Sequence, residues 1–275
     1  MQIAGTVAHA RAVFDVLPRP LGFIPTMGAL HDGHLALVRR AREECASVAA
    51  SVFVNPMQFA GNEDLAKYPR DPEGDGEKLA AAGVDLLFAP DVAVMYPPGY
   101  STYVDVGDMG STFEGAVRPT HFRGVATVVT KLLHVVHPDI LYVGQKDAQQ
   151  TAVLRRVVRD LDLHVRVEVV PTVRESDGLA MSSRNEYLNP EQRAAAPSLY
   201  RALNELRDAL TNGATKTEAI DRARSVLAPT ATPDYFDVVD AFTFEPKERL
   251  GANTFVIGAV RFGSTRLLDN LYVGS

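Results

Sequence analysis

The chain has 275 residues, 46% of them apolar and 23% charged, with a formal net charge of −6. This composition belongs to a globular protein with length for about two domains and a sizeable core, and it excludes a disordered, collagen-like or disulfide-stapled chain. One cysteine, Cys45, permits neither an internal disulfide nor a thiolate zinc site, and the acidic balance argues against general nucleic-acid binding.

The opening stretch, MQIAGTVAHARAVFDVL, has no basic segment ahead of an apolar run and does not read as a signal peptide. No segment offers the ~20 apolar residues needed to cross a bilayer, so a cytoplasmic protein is expected. Short β-branched runs then alternate with helical patterns. Strands are predicted over 21–25, 48–54, 84–88, 140–143 and 165–170, and helices over 34–46, 75–82, 124–136 and 148–160. Such alternation predicts an α/β fold, a parallel sheet covered by helices. Three strands run into polar or glycine-containing loops, PTMGALHDGH, VNPMQFAGN and VGQKDAQQ, and in open α/β sheets ligands bind beyond the carboxyl ends of strands. After Pro171 the pattern changes. The loop ESDGLAMSSRNEYL precedes predicted helices over 190–210 and around 217–227, then strands over 235–240, 254–260 and 265–268. Helices followed by strands predict a smaller α+β unit, with a boundary near Thr172 dividing the chain into 1–172 and 173–275.

Four constellations offer chemistry. Met27-Gly28-Ala29-Leu30-His31-Asp32-Gly33-His34 follows a strand and opens a helix, where free backbone N–H groups and the positive helix end suit phosphate. The glycines allow close approach of a ligand to the backbone, and His31 and His34 can donate to phosphate oxygens. The plainer alternative is that Asp32 caps the helix and the histidines are surface residues. A zinc site at His31 and His34 lacks further ligands, and His134 and His137 read as helix-end residues. Gly144-Gln145-Lys146-Asp147 puts a point charge and a hydroxyl acceptor just after a strand, in a chain with no P-loop. Met181-Ser182-Ser183-Arg184 offers hydroxyls and an arginine able to grip two oxygens, or else a plain capping linker. The amides of Gln58 and Gln149-Gln150 can hold a small hydroxy acid beside apolar Met57 and Phe59.

Taken together, PTMGALHDGH, FVNPMQF, FEGAVRPTHFRGVATVVTKL, GQKDAQQ, GLAMSSRN and YFDVVDAFTF make the chain, from about Leu21 to Tyr272, resemble the pantothenate synthetases (pantoate–β-alanine ligases). The HxGH core alone indicates only the wider nucleotidyltransferase superfamily. The resemblance implies a Rossmann-like N-terminal domain, a smaller C-terminal lid domain and a homodimer. It further implies an ATP-dependent ligase that condenses (R)-pantoate with β-alanine through pantoyl adenylate, releasing AMP and pyrophosphate, with Mg2+ carried on the ATP phosphates. Residue by residue, it places Met27 through His34 on ATP, with His34 as proton donor and His31 on phosphate. Gly144, Gln145, Lys146 and Asp147 would hold ribose and phosphate, Lys146 being the main charge on the α-phosphate. Val173, Met181, Ser182, Ser183 and Arg184 would complete the nucleotide pocket, while Gln58 and Gln150 would bind pantoate and Gln58 would lie near β-alanine. The chain departs from the family pattern at Thr120, where glycine is usual, at His134, often asparagine, and in its short N-terminal segment. Two other functions stay open on sequence alone: a nucleotidyltransferase that leaves the nucleotide on its product, and a non-catalytic nucleotide sensor.

Overall fold

The computed structural model describes residues 1–59, 65 and 68–274. Residues 60–62, the end of the expected VNPMQFAGN loop, lie outside them. By its contacts the chain divides into two compact units, residues 1–144 with 153–170, and residues 145–152 with 171–275.

The first unit is built on a six-stranded sheet. In chain order it comprises β1 (Gln2–Ala4), α1 (Val7–Phe14), β2 (Leu21–Thr26), α2 (Asp32–Glu44), β3 (Ser47–Val52), a 3-10 turn at Pro56–Gln58 and α3 (Pro72–Ala81). It continues through β4 (Leu86–Phe88), α4 (Val92–Met95), α5 (Glu114–Val117), α6 (His121–Val136) and β5 (Ile140–Gly144), and it takes most of α7 (Ala148–Asp160) and β6 (Arg166–Val170). The order across the sheet is β1-β4-β3-β2-β5-β6, with every neighbouring pair parallel. Because side chains alternate along a strand, Phe23, Ala49, Leu86, Phe88 and Leu141 pack with Phe14 of α1, Val129 and Leu132 of α6 and Leu154 of α7. Their neighbours Ile24, Val48, Ala50, Leu87 and Tyr142 face the other way, against Leu37, Val38 and Ala41 of α2 and Leu79 of α3. Helices therefore cover both faces, as a parallel sheet requires. The chain winds outward from β2 through β3 to β4, then returns to β5 on the other side of β2. The switch point lies between β2 and β5.

The second unit contains the 3-10 turn Ser183–Tyr187, α8 (Pro190–Ala195), α9 (Ser198–Thr211), α10 (Lys216–Ser225) and the antiparallel sheet β7 (Ala231–Asp240), β8 (Thr254–Phe262), β9 (Thr265–Val273). Leu199, Leu203 and Leu206 of α9 pack with Val238, Val256 and Val260 to form its core.

Several boundaries differ from the sequence reading for identifiable reasons. The helix expected over 190–210 is two helices separated at Pro197, which lacks an N–H and cannot continue a helix. β9 runs to Val273, past the expected end at 268, because Asp269 and Asn270 interrupt the apolar alternation while staying inside the strand. β1 is only three residues long, too short for alternation to register, and α1 behind it is capped by Thr6, whose side chain accepts the His9 N–H at 3.2 Å. Among the described residues no helix is long and apolar enough to cross a membrane.

Candidate active site

In the first unit the chain leaves β2 at Thr26, beside the switch point. The Thr26 hydroxyl donates to the Ser51 carbonyl at 2.7 Å and accepts the Gly28 N–H at 3.3 Å, which turns the loop at once. Gly28 (φ +85°) and Ala29 (φ +53°) are both left-handed. Gly28 is required twice over, since a Cβ there would lie 2.8 Å from Asp75 Oδ2. Asp75, on α3 and 1% exposed, accepts the N–H groups of Ala29 and Leu30, each at 2.8 Å. Lys78 Nζ donates to the Leu30 carbonyl at 3.0 Å. One turn of α3 thus clamps the glycine loop. The sequence reading reached this helix without seeing that role.

The two histidines are the caps of α2. His31, not Asp32, is the N-cap residue, and its Nδ1 accepts the Gly33 N–H at 3.1 Å. His34 Nδ1 accepts the His31 N–H at 3.3 Å, completing a capping box made of two imidazoles whose centroids are 4.1 Å apart. An Nδ1 that accepts carries no proton, so each neutral ring is held as the Nε2–H tautomer. Asp32 is the first helical residue and is exposed. Capping and ligand binding are therefore not alternatives here: the caps set which nitrogen each histidine can offer as a donor.

Gln58 lies in the same unit, 7% exposed, on the short turn after β3. Its Nε2 donates to Met27 Sδ at 2.9 Å, and its Oε1 accepts from Asn55 Nδ2 at 3.1 Å. Asn55 Oδ1 accepts the Tyr96 hydroxyl at 2.8 Å, and burial pushes that hydroxyl's pKa up, keeping it a neutral donor. His121 Nδ1 meets the Gln58 carbonyl at 2.8 Å, and Arg118 Nη1 meets His121 Nε2 at 3.2 Å. Gly124 lets α6 close on this turn, since a Cβ there would lie 2.4 Å from the Met57 carbonyl. Tyr96, Arg118 and His121 were missed from sequence because no local motif ties them to Gln58. Met27 through His34 and Gln58 are thus brought together, and Gly144 closes β5 in this unit.

The remaining candidates belong to the second unit. Lys146 and Ser182 line a shallow cleft with Asn185, Tyr200 and Asp269. Lys146 Nζ is 3.8 Å from Asp147 Oδ1, and Gln150 sits half-buried on α7. Val173 and Met181 are joined by a backbone bond of 3.0 Å that closes a hairpin, and Asn185 Nδ2 donates to the Ala180 carbonyl at 3.1 Å. Ser182 caps the 3-10 turn by accepting the Arg184 N–H at 3.3 Å, Ser183 opens that turn, and Arg184 is exposed. Arg174 grips Asp269 with two bonds of 2.6 and 3.0 Å and lies 3.9 Å from the Tyr200 ring centroid. Burial pushes the Asp269 carboxyl's pKa up, and the Arg174 guanidinium works against that.

His134 and His137 are exposed at the end of α6, where Arg11 and Arg19 donate to their carbonyls at 3.2 and 2.7 Å and finish the helix.

A family model described as pantoate-beta-alanine ligase matches residues 2–272. The chain belongs to the pantoate–β-alanine ligase family. As a member it is a ligase, an enzyme that joins pantoate to β-alanine and forms pantothenate. The pantothenate synthetase of Chloroflexus aurantiacus is 56% identical over 98% of this chain and 97% of its own length. That of Agrobacterium fabrum is 51% identical over 100% of this chain and 96% of its own. Among solved structures, the pantothenate synthetase of Thermus thermophilus is 51% identical and superposes with a TM-score of 0.94, both chains covered completely. The pantoate-beta-alanine ligase of Francisella tularensis, crystallised with β-γ ATP and β-alanine, is 33% identical with a TM-score of 0.82, over 99% of this chain and 97% of that one.

Proposed function

We propose that the enzyme makes pantothenate in two steps through pantoyl adenylate. A carboxylate oxygen of (R)-pantoate attacks the α-phosphorus of ATP, the bond to the bridging oxygen breaks, and pyrophosphate leaves. The amine of β-alanine then attacks the acyl carbon, AMP departs, and the nitrogen's surplus proton passes to solvent. ATP as substrate is supported by the ATP-bound Francisella tularensis relative, and the step order by family membership.

The single observation that carries the reading is the pair of imidazoles that cap the start of α2 through Nδ1, beside the switch point of the sheet. Positive helix end, left-handed glycine loop and two uncharged donors suit a polyphosphate better than any other ligand class. On this reading Met27 through His34 bind ATP, His34 donating to oxygens that gather charge and His31 contacting phosphate. Gly144 through Asp147 hold ribose and phosphate, with the Lys146 ammonium on the α-phosphate. Val173 and Met181 through Arg184 complete the nucleotide site from a smaller C-terminal lid domain, residues 173–275, the binding domain being residues 1–172. Gln58 and Gln150 bind pantoate, the first buried in an amide and hydroxyl network that suits a hydroxy acid. Positioning of the two reactants can supply ~7–11 kcal/mol of the acceleration.

Among the described residues no three His, Cys, Asp or Glu side chains gather to hold a metal. On this reading a Mg2+ would arrive on ATP phosphates and water, where it would neutralise phosphate charge. Family membership also supports a homodimer working in the cytoplasm.

The deciding experiment measures pyrophosphate release from ATP and pantoate with and without β-alanine. One pyrophosphate per site without β-alanine, and turnover with AMP and pantothenate in equal amounts when it is added, is expected. Pyrophosphate release that strictly requires β-alanine would overturn the adenylate step, and a stable nucleotide conjugate would overturn the product assignment.

A further inference from the structure

β9 contains two consecutive polar residues, Asp269 and Asn270, that are 4% and 1% exposed. Successive strand residues face opposite sides, so both faces of the strand are covered at this point, where apolar residues are the ordinary choice. The Asn270 side chain does not serve its own sheet. The Asn270 side chain makes three bonds, all to the two residues that follow Gly144: Nδ2 donates to the Gln145 and Lys146 carbonyls, each at 2.9 Å, and Oδ1 accepts from Gln145 Nε2 at 3.1 Å. The Asn270 backbone is fixed in turn, its N–H donating to Asp269 Oδ1 at 2.7 Å and its carbonyl accepting from Arg174 Nη2 at 3.1 Å.

Asp269 and Lys146 line the same cleft, so an uncompensated Asp269 carboxylate would attract the ammonium that a phosphate needs. Arg174 weakens this pull by occupying both carboxylate oxygens, and the ammonium's ion pair is with the exposed Asp147, 3.8 Å away. We infer that Asn270 is a positioning residue for adenylate formation: it fixes the backbone from which Lys146 projects. This rests on the role proposed for Lys146. It assigns part of the reaction's geometry to the small C-terminal sheet.

The test compares pantoate-dependent pyrophosphate release in the parent, Asn270→Asp, Lys146→Ala and the double variant, with melting temperature measured for each. Asp at 270 keeps the shape and the acceptor but puts an oxygen against two carbonyls. A displacement of about 1 Å is worth about a hundredfold in rate, so kcat/KM for ATP is expected to fall ten- to a hundredfold in Asn270→Asp, with KM for pantoate unchanged. In the Lys146→Ala background the same substitution is expected to cost nothing further, because there is no ammonium left to position. A merely structural role would add its cost in both backgrounds. Parental kinetics in Asn270→Asp, or an undiminished cost on top of Lys146→Ala, overturns the inference while leaving Lys146's role standing. Parental pyrophosphate release in Lys146→Ala itself overturns that role and the inference with it. Should Asn270→Asp not fold, Asn270→Ala carries the same comparison.

Discussion

Thr120 stands in a conformation its side chain disfavours, and relieving it should stabilise the protein. Its φ is 72° and ψ −9°, in the left-handed region, on the residue that precedes α6. A β-branched residue there is an outlier, and the left-handed conformation costs an L-residue about 1–2 kcal/mol. The side chain gains nothing in return: it is exposed and makes no capping bond to the helix. Glycine removes the clash but adds about 0.4–1 kcal/mol of chain entropy to the unfolded state. The difference for Thr120→Gly is a gain of about 1 kcal/mol, or roughly 2–4 °C in melting temperature for a domain of this size. Thr120→Val keeps the branch and the strain, and should melt with the parent. Thermal melts of the three proteins, with urea unfolding to confirm an unchanged m value, decide the matter. A glycine variant that melts at or below the parent, or a valine variant that gains as much, refutes the strain argument.

His34→Ala and Lys146→Ala should each lower pantoate-dependent pyrophosphate release by at least ~100-fold with the fold intact, since on the proposed roles each removes a donor to developing charge; single-turnover assays and far-UV circular dichroism check both halves. Gln58→Ala should chiefly raise the pantoate KM, and an unchanged pantoate KM beside a weakened ATP KM would reverse the assignment of that pocket. Asp75→Ala strands two backbone N–H groups, each worth about 1–3 kcal/mol, so melting temperature and nucleotide affinity should fall together. Asp177 is held below the ordinary carboxylate value by its bond to Arg193. Its contribution to stability is complete above the unfolded-chain value and is lost as pH falls through the lower folded value. The parent's melting temperature should therefore drop more steeply below about pH 4 than that of Arg193→Met.

The parallel sheet was legible because its inner strands are buried on both faces and read as apolar runs such as LYV, bounded by glycine and polar loops. The phosphate-like loop was legible because strand, glycines and helix start are contiguous in PTMGALHDGH. What holds that loop was not, since Asp75 reaches it from 45 residues away and shows in sequence only as a residue inside a helix. His121, which meets the Gln58 carbonyl, and Tyr96, which donates to Gln58's neighbour Asn55, were hidden for the same reason. β9 failed differently. Asp269 and Asn270 look like the end of a strand, and only the guanidinium of Arg174 and the carbonyls of Gln145 and Lys146 explain why they continue it. Local rules break where a side chain serves a partner distant in sequence, and the breaks in this chain fall beside the residues with a proposed role in chemistry.

Each unit commits one buried carboxylate near the residues proposed for the nucleotide to hydrogen-bond donors. Asp75 is occupied by two backbone N–H groups, and Asp269 by a guanidinium. An aspartate at position 31 would cap the helix as well as histidine does, since aspartate is among the best N-cap residues, but it would set an anion where the positive helix end is open. An imidazole caps through Nδ1 and presents an N–H on its other nitrogen, so one residue satisfies the helix and still offers a donor. His34 does the same one turn later. On the proposed roles, neutral donors also suit the chemistry better than fixed cations alone: they would hold the phosphate chain before reaction without binding its charge so tightly that pyrophosphate cannot leave, while Lys146 would supply the full charge for the step in which charge builds.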